Sequence, residues 1–263
     1  MATYTFGDSD LAANRLRLLA RVFAPSSRVF ISEAVKFRPR LALDLGSGLG
    51  DTTLLLADVL TPEATVGIER SRSFLKLAER EAGPGISFVE HDVTKLPFPT
   101  GTADLIYSRF LLTHLPRPES VIAGWITQLC PGGLLLLEEV ERIETADPVL
   151  RRYLEVVETM MRDHGQELYV GARLAVLGGG EGWSLRANVL RRVAHPVDQA
   201  ARMFEMNLAG WRNDPSTKKI ASKAEVDRLA DGLTKIAARR GADSPEITWG
   251  MRQVVLKRGH ETS

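Results

Sequence analysis

Leu41-Ala42-Leu43-Asp44-Leu45-Gly46-Ser47-Gly48-Leu49-Gly50-Asp51 is an apolar run that ends in an acid, then three alternating glycines, then the start of a helical pattern at Thr52. Such a segment reads as a buried strand that passes through a tight turn into a helix. Glycines suit the turn because a Cβ there would forbid its dihedral angles or hold the backbone away from a bound ligand. The flanking sequence repeats the theme. Thr65–Glu69, Ile86–Val93, Ala103–Ser108 and Pro131–Glu138 read as further strands, the last preceded by its own turn at Pro131-Gly132-Gly133. Helical patterns at Thr52–Leu60, Ser71–Ala82 and Pro118–Leu129 separate them. This alternation predicts an α/β fold, a doubly wound and mostly parallel sheet with helices on both faces.

The ligand of the glycine turn follows from spacing and charge. A dinucleotide fingerprint, G-x-G-x-x-G from Gly46, requires glycine at position 51, where this chain has Asp51. Asp44 stands two residues before the first glycine, and a carboxylate there suits a cationic ligand better than a pyrophosphate. The segment resembles the first motif of the class I S-adenosylmethionine-dependent methyltransferases, whose cofactor carries an ammonium and a sulfonium. Glu69 ends the second strand, where an acid can accept both ribose hydroxyls, although it also suits a helix N-terminus. Asp92 can accept from an adenine amino group while Val93 covers the ring. The resemblance spans roughly residues 40–140 and is similar to the branch that methylates small molecules. It implies seven strands in the order 3-2-1-4-5-7-6. It also implies S-adenosyl-L-methionine as cofactor, S-adenosyl-L-homocysteine as product, and a cofactor set of Asp44, Gly46, Ser47, Gly48, Glu69, Arg70, Asp92, Val93 and Ser108. Asp44 would help to hold the methionine end.

The rest of the chain frames this unit. Leu11–Phe23 has helical spacing with Asp10 or Ser9 as cap, Pro25 and Ser26-Ser27 interrupt it, and a second helix is expected over Ser27–Phe37. Asp147-Pro148 opens a long helix to Asp163, with Val149, Tyr153, Val156, Val157 and Met160 on one stripe. A short helix near Ala172–Leu177 and the loop Gly178–Gly182 follow. In methyltransferases of this type the region after strand five often covers the substrate. The sixth strand is read as Trp183–Ala194, helices as Val197–Gly210 and Lys223–Arg240, and the last strand as Glu246–Lys257. The expected organisation is one domain over 1–263: a helical cap (1–38), a cofactor-binding half (39–140), a helical lid (141–182) and C-terminal strands and helices (183–263).

Methyl transfer from a sulfonium is an in-line displacement, so the protein mainly positions the acceptor and excludes water. A hydroxyl or carboxyl acceptor gains from a base that takes its proton or keeps it ionised. His114, shortly after strand four, is one candidate, although the resemblance equally implies a His that packs beside the cofactor. Glu138 and Glu139 end strand five and face opposite ways, so one should point at the acceptor; Glu139 is taken as the second catalytic candidate and Glu138 as substrate-binding. Arg109 could grip an acidic acceptor with its planar fork. Tyr153 and Tyr169 belong to the lid and complete the substrate set, Tyr153 with core packing as its other role. Tyr4 and Phe6 could close over the cofactor.

Composition bounds the partners. The 263 residues carry 34 Lys and Arg against 33 Asp and Glu, a net charge of +1, so no strong field recruits nucleic acid or an anionic membrane. Cys130 is the sole cysteine, which excludes an internal disulfide. No apolar run approaches the length of a bilayer span, and the first residues lack the pattern of a signal peptide. A cytoplasmic enzyme, monomer or homodimer, is expected. No metal is expected, because His91, Asp92 and His114 lack ligand spacing. Enzymes that methylate exocyclic base nitrogens resemble one another in an Asn/Asp-Pro-Pro-Tyr motif, where this chain has Tyr107-Ser108-Arg109-Phe110. Cytosine-C5 enzymes use Pro-Cys, and here the order is Cys130-Pro131. A small organic acceptor is therefore expected, with transfer to oxygen favoured over nitrogen or carbon. The rival readings are a nicotinamide-dependent oxidoreductase and a catalytically silent S-adenosylmethionine-binding module.

Overall fold

Strand β1 (Leu41–Leu45) lies at the centre of the sheet, and the four residues after Leu41 are fully buried, as expected of a strand covered on both faces. The computed structural model describes residues 10–239 and 246–259. Around β1 run β2 (Ala64–Glu69), β3 (Ile86–Glu90), β4 (Ala103–Arg109), β5 (Leu129–Glu144), β6 (Trp183–Pro196) and β7 (Glu246–Arg258). They form one sheet in the order β3-β2-β1-β4-β5-β7-β6, as anticipated. β7 alone is antiparallel, lying between β5 and β6. Leu134–Leu137 of β5 is a continuous apolar run because both faces of the sheet are packed there.

The helices are α1 (Asp10–Ala34), α2 (Asp51–Leu60), α3 (Arg72–Ala78), α4 (Pro118–Thr127), α5 (Pro148–Asp163), α6 (Gly171–Ala175), α7 (Val197–Trp211), α8 (Pro215–Ile220) and α9 (Lys223–Ala237). α5 begins where Asp147-Pro148 predicts, with Asp147 Oδ1 accepting from the amides of Val149 and Leu150. Its buried face, which includes Tyr153, Val157 and Met160, packs with α7 and α9 into the core of the C-terminal half.

Several boundaries depart from expectation. The two N-terminal helices are one: α1 passes through Pro25 without ending. Proline costs an interior helix one hydrogen bond, but Phe23 on one side and Phe30 and Ile31 on the other are buried, and their packing outweighs the local loss. β3 stops at Glu90, so Asp92 lies on the loop beyond it. β5 runs on to Glu144 and takes up the first residues assigned to the lid, because β7 provides partners along that length, from Val140 opposite Met251 to Glu144 opposite Thr248. β6 likewise continues through His195-Pro196 at the sheet edge, where proline is tolerated. α8 was not foreseen. The expected cap at Ser9, the arm residues Tyr4 and Phe6, and Arg240 at the expected end of α9 lie outside the described residues.

Candidate functional site

The carboxyl ends of β1, β2, β4 and β5 open into a cavity of about 1440 Å³. Clefts for single drug-sized ligands run to roughly 300–1,000 Å³, so this one has room for a cofactor and an acceptor. The glycine turn forms one wall. Gly46, Gly48 and Gly50 have φ of 69°, 54° and 87°, values that L-residues with a Cβ rarely adopt. At Gly46 a Cβ would also come within 2.9 Å of Leu111. Gly46 and Ser47 donate backbone bonds to Ile68 O at 2.8 and 3.1 Å, which ties the turn to β2. Ser47 Oγ is buried on this wall and has no hydrogen-bond partner among the described residues.

Glu69 clasps the same turn. Its Oε2 accepts from Gly48 N at 3.0 Å, and its Oε1 accepts from Arg70 N and Ser71 N, both at 2.8 Å. Asp92 is on the wall too. Its Oδ1 accepts from Thr94 N at 3.0 Å and Thr94 Oγ1 at 2.7 Å, so this oxygen closes an Asx turn. Burial works to raise its pKa, but the Thr94 bonds and the charges of Lys95 and Arg70 prevail and lower it, so it is ionised. Arg70 and Val93 line the same end of the cavity.

Two residues of the expected cofactor set do not reach the cavity wall. Asp44 is buried beneath the turn, where its Oδ2 accepts from Thr52 Oγ1 at 2.5 Å and Thr53 Oγ1 at 2.7 Å. Burial pushes its pKa up to about 6 against those bonds. Its geometry fixes the turn and the start of α2, so any hold on a ligand's methionine end would pass through that turn. Ser108 is fully buried inside the sheet.

Sequence reasoning put Glu138 and Glu139 on opposite faces, and they are. Glu138 points inward: its Oε2 accepts from Ser27 Oγ (2.7 Å) and Tyr107 Oη (2.8 Å), and its Oε1 accepts from Gln253 Nε2 (2.7 Å). It therefore holds α1, β4 and β7 together and does not meet an acceptor. Glu139 lines the cavity. Its Oε1 accepts from the amides of Leu111 and Leu112, both at 2.8 Å, while its buried Oε2 has no partner among the described residues. The two amides converge because Phe110 adopts φ 56° ahead of Leu111 at φ −105° and ψ −42°. A left-handed residue followed by right-handed ones makes a backbone nest that aims successive N–H groups at one anion. Burial nonetheless dominates and raises the pKa of Glu139 to about 8.

His114 also lines the cavity, in the turn after β4, and bonds to Gln166. Burial, with the charge of Arg15 adding to it, lowers its pKa to about 3, so it is neutral. Arg109 reaches the cavity with its Nη1 donating to Ser27 Oγ at 2.8 Å. Tyr153 is on the wall, stacked on Phe204 at 4.3 Å, whereas Tyr169 is not on it. Sequence reasoning missed Arg15 of α1, Asn207 of α7 and Trp249 of β7, which also line the cavity. Asn207 had a readable signal: it interrupts the stripe Met203, Asn207, Trp211, whose spacing of four places all three on one helix face. Among the described residues no group of three His, Cys, Asp or Glu stands as a metal would require, and no helix is long and apolar enough to cross a membrane.

The sheet order and the glycine turn beneath the cavity define a Rossmann-like fold. Residues 43–137 match a family described as a methyltransferase domain. Trans-aconitate 2-methyltransferase of Paracidovorax citrulli (strain AAC00-1) is 30% identical over 77% of this chain and 77% of its own. The protein of the same name from Variovorax paradoxus (strain S110) is 27% identical over 88% of this chain and 87% of its own. A crystal structure of coclaurine N-methyltransferase bound to N-methylheliamine and SAH superposes with a TM-score of 0.57 at 16% identity, over 89% of this chain and 72% of that one, a likeness of fold. The chain belongs to the class I S-adenosylmethionine-dependent methyltransferases, and S-adenosylmethionine is its cofactor.

Proposed function

We propose that this enzyme transfers a methyl group to an oxygen of a small organic acceptor, with Glu139 taking the acceptor's proton. The observation that carries the reading is Glu139 itself: a carboxyl on the cavity wall with one oxygen fixed by two amides and the other unpartnered. Its pKa of about 8 suits a base working near neutral pH. His114, held near 3, is too weak a base for a hydroxyl and serves as packing and as a link to Gln166.

The cofactor supplies an activated methyl on a sulfonium. On this reading the turn at Gly46–Gly48 approaches its methionine end and Asp44 stiffens that turn from below. Glu69 accepts from the ribose hydroxyls on the lone pairs its backbone bonds leave open. Asp92 accepts from the adenine amino group with Oδ2, since Oδ1 is committed to Thr94. Val93 covers the ring. The acceptor sits between Glu139 and the apolar side chains of α5 and α7, among them Val157, Met161, Met203 and Phe204, which exclude water.

A second reading is favoured by the relatives. They are named for action on trans-aconitate, and an acid's own carboxylate would need no base. Glu139→Gln separates the two. With a hydroxyl acceptor, kcat should fall on the order of a hundredfold, the usual worth of a general base, and the wild-type rate should climb with pH as Glu139 ionises towards about 8. Unchanged or faster turnover in that variant, with a flat pH profile, would reject Glu139 as the base and favour the carboxylate.

A further inference from the structure

The two amides that grip Glu139 belong to a very short piece of structure. Leu111 N and Leu112 N each donate to its Oε1 at 2.8 Å. They stand at the head of the one-turn helix Leu112–His114, whose other bonds are largely internal: His114 N donates to Leu111 O at 2.9 Å and Leu115 N to Leu112 O at 3.0 Å. A single turn of this kind has little stability of its own. Whatever holds the turn therefore holds the amides on the carboxylate.

A tie comes from the far side of the cavity. Gly165, at φ 69°, stops α5 and turns the chain back, and Gln166 N donates to Met161 O at 2.8 Å. The next residue, Glu167, meets Thr113 at the middle of the turn. Glu167 N donates to Thr113 O at 3.2 Å, and Thr113 Oγ1 donates to Glu167 O at 2.5 Å. Both backbone polar groups of Glu167 thus end on one buried threonine. Gln166 bonds to His114 beside them. At the surface, Arg173 of α6 grips both carboxylate oxygens of Glu119 on α4, at 2.8 and 2.6 Å, and reaches Glu167 Oε2 at 3.4 Å. Exposed ion pairs contribute little, so the threonine is the firmer half of the joint.

The same segment then passes Glu139 itself. Gly171 lies so close to β5 that a Cβ there would come within 2.7 Å of the backbone of Val140 and Glu141. Residues 165–171 run from the turn that carries the amides to the strand that carries the carboxylate, and Leu168 between them is on the cavity wall. We infer that Thr113 is a positioning residue: its joint with Glu167 keeps the two amides on Glu139, so one segment both walls the cavity and sets the base. The inference rests on the reading of Glu139 as base for its catalytic consequence only.

NMR on the full chain saturated with S-adenosylhomocysteine tests it. As Glu139 titrates near its pKa of about 8, the amide signals of Leu111 and Leu112 should step together, and Glu139→Gln should abolish the step. Thr113→Val keeps the shape and removes the hydroxyl, and should shrink the step by about half or more, since one of the two bonds of the joint is lost. Thr113→Ser keeps the hydroxyl and should show the full step. Amide signals of β1 at their wild-type positions certify the fold of each variant. A full step in Thr113→Val overturns the proposal. So does a step reduced equally in Thr113→Ser, which would assign the effect to packing of the methyl group. Hydrogen exchange in the wild type decides the joint without a variant, should Thr113→Val not fold. The amides of Leu112 and Glu167 should be protected within about threefold of each other, because they open together. A difference of about tenfold or more, in either direction, would show that turn and joint open separately and overturn the proposal. A wild type with no step fails the reading of Glu139 as base and leaves the joint to be decided by exchange. Failure of the joint, in turn, leaves proton transfer by Glu139 to be judged by the kinetics of Glu139→Gln.

Discussion

Phe110 holds φ 56°, a conformation that costs a bulky L-residue roughly 1–2 kcal/mol. The surroundings enforce it: Phe110 N donates to Glu138 O at 3.1 Å, and its ring meets Phe23 edge-on at 5.0 Å. What the strain secures is the pair of amides on Glu139. The proton of that carboxyl then links site to stability. Its ordinary pKa is 4.5, and in the folded protein it is about 8. Between those values the folded protein keeps a proton that the unfolded chain releases, so folding stability falls as pH rises through the window. Glutamine has no proton to lose. Glu139→Gln should therefore match wild type near pH 4.5 and be more stable above pH 8 by up to about 5 kcal/mol, the worth of the full shift at 1.36 kcal/mol per pKa unit, read from urea midpoints across pH. A gap that does not grow with pH would show that Glu139 ionises freely. At the other end of the cavity, Asp92→Ala should weaken cofactor binding by about 1–3 kcal/mol, because the amino group it serves is left unpaired. Thr94→Val is the control, since it disturbs the Asx turn and leaves Oδ2; calorimetry that shows equal losses in both would remove Asp92 from the ligand. That Glu69 and Asp92 stand on the cavity wall could be read from sequence, because one ends a strand and the other lies just beyond one. The nest, the orphaned Oε2 and Asn207 depend on which residues fold back upon them, and no spacing along the chain encodes that.

At the level of elements, the strands and helices of 40–140 were legible because their periods and turns agree with their tertiary surroundings. α1 was misread because local chemistry and packing disagree at Pro25, and packing won. Its consequence is functional: an unbroken α1 places Arg15 and Leu16 on the cavity wall and Ser27 under the sheet. Ser27 is the joint. Its hydroxyl donates to Glu138 Oε2 at 2.7 Å and accepts from Arg109 Nη1 at 2.8 Å. Ser27→Ala would leave a buried carboxylate one donor short and Arg109 without its anchor. A loss of about 1–3 kcal/mol in stability is expected, together with a higher KM for the acceptor, since Arg109 lines the cavity. Chemical denaturation and steady-state kinetics read the two effects separately. A variant as stable as wild type would mean that Tyr107 and Gln253 suffice to hold Glu138.

For the whole molecule, the sheet order puts every group of the site at one edge, yet the cavity is closed only by parts remote in sequence: α1 on one side, α5 and α7 on the other. The covering elements come from before β1 and from after β5, so a ligand that bridges them ties the fold together. Ligand that binds only the folded state adds RT ln(1 + [L]/Kd), about 2.7 kcal/mol at a hundredfold excess over Kd. For a chain of this size each kcal/mol raises Tm by roughly 2–4 °C, so S-adenosylhomocysteine at that excess should raise Tm by about 5–10 °C. NADH should leave it unchanged, because position 51 is Asp51 and the turn presents Glu69 and the buried Asp44 where a pyrophosphate would bring negative charge. Differential scanning calorimetry with each ligand decides the point. A shift with NADH equal to that with S-adenosylhomocysteine would mean that the turn tolerates phosphate, and the acids around it would then lose their part in choosing the cofactor.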